Sequence, residues 1–277
     1  MKFQFVDIHT HVNFVAFDAD REEVIQRASD AGVAMINVGT QVDTSRKAIE
    51  IAEKYENAYA IVGLHPVHTT KSHHDEKELG EGGKEFTSRG ENFDMNVYRE
   101  MLKHPKVVGI GECGLDFYHL DDASIAKQRE DFEKQIDFAN EVRKPLMLHV
   151  RSNKDRSAYK DALEILKARA KVKGDFHFFA GSWEEAKKIL DFGYTISFTG
   201  VITFARDYDE IIKNAPLDMI MSETDAPYVS PAPFRGKRNE PAHVREVVKK
   251  IAEIRGKDYE KVRVQLAENA TRVFGLK

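Results

Sequence analysis

The chain has 277 residues, 42% of them hydrophobic and 32% charged, which suits a sizeable core and the roughly 250 residues of an α/β barrel domain. A formal net charge of -4 excludes general adhesion to nucleic acid or anionic membrane, so an anionic substrate must be held by a local site. The single cysteine, Cys113, excludes an internal disulfide framework and suits a reducing, cytoplasmic setting; no run nears the ~18 apolar residues of a membrane span, and Asp7, His9 and His11 arrive before a signal-peptide core can form.

In chain order, short β-rich runs are predicted at 3–8, 34–38, 58–63, 107–112, 145–149, 175–179, 194–198 and 218–222. Between them lie amphipathic stretches such as 43–56, 126–142 and 183–192, with apolar residues three and four apart. Two closing helices are predicted at 241–255 and 258–268, with Pro241 in a first turn and Gly256 at the connection. Eight strands alternating with helices favour a closed (β/α)8 TIM barrel, and neither a dinucleotide fingerprint nor a phosphate-binding loop supports the open-sheet alternative. Residues 1–277 are therefore expected to form a single domain, with a long polar insertion at about 66–92 that is either a solvated excursion or a lid.

Chemistry concentrates where strands end. His9-Thr10-His11 sends two imidazoles to the same side of an extended chain, and in a barrel the C-terminal strand ends share one mouth. The same rule adds His65, Glu112, His149, His177 and Asp225, while the other histidines fall mostly in loops and read as surface residues. Imidazole with carboxylate suits divalent zinc, manganese, cobalt or nickel, and the donors outnumber the needs of one catalytic ion. A two-metal arrangement follows, with Glu112 bridging, His9, His11 and Asp225 on one side, and His149 with His177 on the other.

The segments DIHTH (7–11), VGLHP (62–66), GECGLDFY (111–118), His149-Val150-Arg151, FHFFAGSWEEAKKIL (176–190), ISFTG (196–200), ETDAPY (223–228), RGKRNEP (235–241) and ENATRVFGL (268–276) together resemble the TatD-type deoxyribonucleases, a branch of the amidohydrolase-like metallohydrolases, over nearly the whole chain. The resemblance implies a divalent-metal-dependent phosphodiesterase acting on DNA, with the ligand set already named. Phe178 and Ala180 stand where the family often has a cysteine and a serine or threonine.

On this reading metal-activated water is the nucleophile and Asp225 orients or deprotonates it, with Glu223 in support. Magnesium joins the candidate ions for such chemistry. His65, Arg151, Arg235, Lys237 and Arg238 are candidate contacts to phosphate, and Phe117, Tyr118 and Tyr228 are candidate surfaces for bases, with single-stranded DNA the favoured partner. An amidohydrolase or carboxylic esterase and, outside enzymes, a metal-stabilised scaffold remain the alternatives. The sequence leaves oligomeric state open.

Overall fold

The computed structural model describes residues 3–71, 73, 74, 86–118 and 122–277. Its strands are β1 Phe5–Thr10, β2 Val33–Val38, β3 Ala58–Val62, the two-residue β4 His73–His74 and β5 Phe86–Thr87, β6 Val107–Asp116, β7 Leu146–Arg151, β8 Gly174–Phe176, β9 Thr195–Phe198 and β10 Ile220–Ser222. The short β4 and β5 pair antiparallel with each other, and the remaining eight form one parallel sheet in chain order. Its two edge strands meet through a parallel bridge between Thr10 and Ala226, closing the (β/α)8 barrel.

Closure is made just beyond β10. The amide of Asp225 donates to the carbonyl of His9 at 2.9 Å, and the amide of His11 donates to the carbonyl of Ala226 at 2.8 Å. Thr224 adds its amide and hydroxyl to the buried carboxylate of Asp7, at 2.8 and 2.5 Å. Burial, opposed by these hydrogen bonds, leaves the Asp7 carboxyl well above the usual carboxylate range.

Parallel strands covered on both faces read as near-continuous apolar runs. Accordingly β1, β2, β3 and β6 are buried along their full length. Val6, Ile8, Ile36, Val38, Ile61, Val108, Met147 and Met221, from six strands, share one apolar cluster, while Phe5, Val33, Met35, Ala60, Val62 and Val107 join the larger cluster with the helices.

The helices are α1 Arg21–Asp30, α2 Val42–Lys54, α3 Met95–Met101, α4 Asp122–Val142, α5 Ala158–Arg169, α6 Trp183–Asp191, α7 Asp209–Asn214, α8 Val244–Arg255 and α9 Tyr259–Phe274. Ser182 and Glu185 form a capping box that fixes the start of α6. The stretch expected as one helix from 241 begins instead as a 3-10 turn at Pro241–His243. The last helix runs six residues past the expected 268, until Gly275 takes a left-handed conformation at φ 63°.

The described parts of the 66–92 segment are tied down at its base. Pro66–His68 forms a 3-10 turn, the amide of Glu91 donates to the carbonyl of His68, and Ser88 Oγ donates to the carbonyl of Thr70. Residues 72 and 75–85, the centre of the expected insertion, lie outside the described residues.

Candidate metal centre and its surroundings

Glu112 sits at the middle of the site because β6 is irregular around it. Gly111 and Gly114 adopt φ of 148° and 144°, and a Cβ at Gly114 would stand 2.0 Å from the carbonyl oxygen of His149. Only glycine allows β6 and β7 to approach so closely while the register shifts between Ile110 and Cys113.

The two oxygens of Glu112 face different partners. Oε1 lies 2.8 Å from His177 Nε2, 3.0 Å from His149 Nδ1 and 3.2 Å from His65 Nε2. Oε2 lies 3.4 Å from His9 Nε2 and 3.7 Å from His11 Nε2. Asp225 completes the second set, its Oδ1 3.4 Å from His11 and 3.8 Å from His9. Burial alone would raise the Glu112 carboxyl, but the surrounding histidines outweigh it and hold the group well below the usual range.

His11, His149 and His177 are each oriented by a partner behind the ring, as metal-binding imidazoles commonly are. His11 Nδ1 donates to the carbonyl of Val38 at 2.9 Å, which leaves Nε2 to the cluster. His149 turns Nδ1 to Glu112 and Nε2 to Asp116 Oδ2 at 2.8 Å. His177 presents Nε2 to Glu112, with Nδ1 3.3 Å from Glu223 Oε2. Burial opposes protonation of His149 and His177, yet the carboxylates prevail and raise both. His9 is lowered by burial and by His177, and its Nδ1 makes no hydrogen bond although it is fully buried.

His65 differs. Its Nδ1 accepts from the amide of Val67 at 3.2 Å, and burial pushes the ring down to about 4. The neutral tautomer therefore carries its proton on Nε2, the nitrogen aimed at the cluster, which makes His65 a donor rather than a lone-pair ligand.

Three groups of ligand atoms lie within 4.8 Å of one another: His9, His11 and Asp225; His9, His177 and Glu223; and His65, Glu112 and His149. The first is the cleanest cation site. In the second, Glu223 Oε1 already accepts from the amide of Phe178 at 2.5 Å and from Ser197 Oγ at 2.9 Å. The donor chemistry fits divalent ions. His9 and His11 hold their Nε2 atoms 3.1 Å apart, and a cation taking Nε2 of His9 would leave the ring proton on Nδ1, facing Glu223 Oε2 at 3.9 Å.

The six expected ligands, His9, His11, Glu112, His149, His177 and Asp225, thus come together, as does His65. Asp116 was not anticipated as a site residue, because β6 was expected to stop at 112 rather than run to 116. Glu223 buttresses His177, instead of Asp225 as expected. Arg151 lies at the end of β7 with its guanidinium over the ring of Tyr118, and Arg235 and Lys237 are exposed beyond β10. Arg238 is placed otherwise: it donates to Asp20 Oδ2 at 2.6 Å and to the carbonyl of Ala16 at 2.7 Å, tying the segment after β10 to the connection after β1.

The rim has its own contacts. Phe178 is half-buried in a left-handed conformation at φ 44°, and exposed Ala180 donates its amide to Tyr159 Oη. Phe117 is buried, and Tyr228 faces His11 edge-on at 6.4 Å. Among the described residues no helix is long and apolar enough to cross a membrane.

The family described as TatD related DNase matches residues 6–275. The chain belongs to that family. It is similar to the metal-dependent hydrolase YabD of Bacillus subtilis, 37% identical over 97% of this chain and 98% of that protein. It is also similar to the 3'-5' ssDNA/RNA exonuclease TatD of Pantoea ananatis, 31% identical over 98% and 99% of the two chains. Among solved structures, the TatD homologue YjjV of Escherichia coli superposes with a TM-score of 0.83 at 27% identity, covering 100% of both chains. As a TatD-family protein the chain is a metal-dependent hydrolase.

Proposed function

We propose that this protein hydrolyses phosphodiester bonds of DNA, with single-stranded DNA as the preferred substrate and two divalent ions as cofactor. The observation that carries the reading is the divided carboxylate of Glu112, one oxygen facing His149 and His177 and the other facing His9 and His11. His9, His11 and Asp225 would hold one ion, His149 and His177 the other, and Glu112 both. Bound there, the ions would acidify water and offset negative charge on the phosphoryl oxygens.

The chain supplies the rest. Asp225, held at φ 54° by the hydrogen bond from its amide to His9, presents a carboxylate that orients the attacking water and accepts its proton. His65 donates from Nε2 to a phosphoryl oxygen. Arg151, Arg235 and Lys237 receive neighbouring phosphates, while Arg238 contributes through the position of the segment that carries them. The relative named as a single-strand exonuclease supports nucleic acid over other phosphodiesters.

The test is protein reconstituted with manganese, magnesium, zinc, cobalt or nickel, assayed on single-stranded DNA, duplex DNA, RNA, a simple phosphodiester, and amides and carboxylic esters, with His149→Ala as control. Metal-dependent cleavage of single-stranded DNA that is lost in His149→Ala is expected. Turnover of amides or esters without phosphodiester cleavage overturns the reading.

A further inference from the structure

We propose that Tyr118 with Arg151, and Phe204 with Arg235, form two stacking platforms that hold an unpaired nucleic-acid strand across the barrel mouth. The proposal rests on the phosphodiesterase reading above and adds the path of the substrate.

The exposed large hydrophobics among the described residues are Val15, Met95, Tyr118 and Phe204. The two aromatic ones, 40% and 42% exposed, both sit on connections that leave C-terminal strand ends, Tyr118 after β6 and Phe204 after β9. Each carries an arginine. The guanidinium carbon of Arg151 lies 3.7 Å from the centre of the Tyr118 ring, and that of Arg235 lies 3.9 Å from the centre of the Phe204 ring.

A guanidinium laid over a ring puts a positive charge beside it, which suits the phosphate next to a stacked base. A half-exposed ring beside it offers an apolar surface to a base. The combination of base surface and phosphate donor recurs at two places in the barrel order. Tyr118 lies just after β6 and Arg151 ends β7, Phe204 and Arg235 lie on the connections that follow β9 and β10, and β8, with His177 just beyond it, comes between them in the barrel order. A strand seated on both platforms would cross the end of β8, just beyond which His177 faces Glu112. Bases in a duplex are stacked on their neighbours and unavailable to the rings, so the same arrangement selects unpaired strands.

The experiment compares kcat/KM for a short single-stranded oligonucleotide with kcat/KM for bis(p-nitrophenyl) phosphate, using the manganese-loaded full chain. The variants are Tyr118→Leu, Tyr118→Phe, Phe204→Leu and Phe204→Trp. Each leucine variant should lower the oligonucleotide-to-small-ester ratio about tenfold, chiefly through KM, and the aromatic replacements should restore it. An unchanged ratio in both leucine variants, or an equal loss in Phe204→Trp and Phe204→Leu, overturns the platforms while leaving the phosphodiesterase intact. Absence of phosphodiester hydrolysis by the unmodified protein overturns the underlying reading, and the platforms with it.

Discussion

The imidazoles of His9 and His177 lie face to face, with ring centroids 3.8 Å apart and planes 12° from parallel. One belongs to β1 and the other follows β8, yet Glu223 faces Nδ1 of both, at 3.9 and 3.3 Å. The carboxylate thus stands behind two stacked rings whose Nε2 atoms point into the cluster.

Replacing that carboxylate by an amide of the same shape tests its charge. Glu223→Gln should weaken metal binding about 10- to 100-fold with the fold retained. Titration against a chromophoric chelator measures it, and unaltered affinity would show that Glu223 only fills space.

Glu112→Ala removes both faces of the divided carboxylate at once. If Glu112 is shared between two ions as proposed, metal content measured on protein prepared without chelator should fall for both together. Loss of one ion with full retention of the other would dispose of the bridging assignment.

His65 separates donor from ligand. Because its cluster-facing nitrogen carries the proton, His65→Ala should keep its metal while losing roughly a hundredfold in turnover, the scale of one lost oxyanion donor. Elemental analysis beside the kinetics decides, and loss of an ion would make His65 a ligand.

Beneath Glu223, Asp175 approaches Ser197 Oγ at 2.5 Å and Thr195 Oγ1 at 2.7 Å, and burial followed by Glu223 pushes its carboxyl up to about 7. In the unfolded chain the same group titrates near 3.8. The metal-free folded state therefore keeps a proton that the unfolded state releases. This stabilisation is complete below about 3.8 and is lost as pH rises towards about 7. Asp175→Asn, whose amide donates to Ser197 without titrating, should melt several degrees higher relative to the parent at pH 7 than at pH 4. A melting difference independent of pH between those limits would refute the buried proton.

Much of this site was legible because a barrel converts strand ends into one mouth, so His9, Glu112, His149 and Asp225 were found without knowing any distance. What escaped depended on where pairing stops, which hydrophobic pattern does not encode. His177 was named, but the strand expected to carry it over 175–179 ends at Phe176, and β6 continues past its glycines to Asp116, which was not named. Arg238 was unreadable for another reason: its partner Asp20 lies 218 positions away.

The seam that closes the barrel is built from the backbone of the site itself, the amide of Asp225 on the carbonyl of His9 and the amide of His11 on that of Ala226. Native proteins open locally on their way to exchanging amide hydrogens with solvent. Here any such breathing at the seam draws the Asp225 carboxylate away from the two imidazoles it faces. Barrel closure and the placing of Asp225 against His9 and His11 therefore share the same two amides, and hydrogen exchange at those amides reports on both.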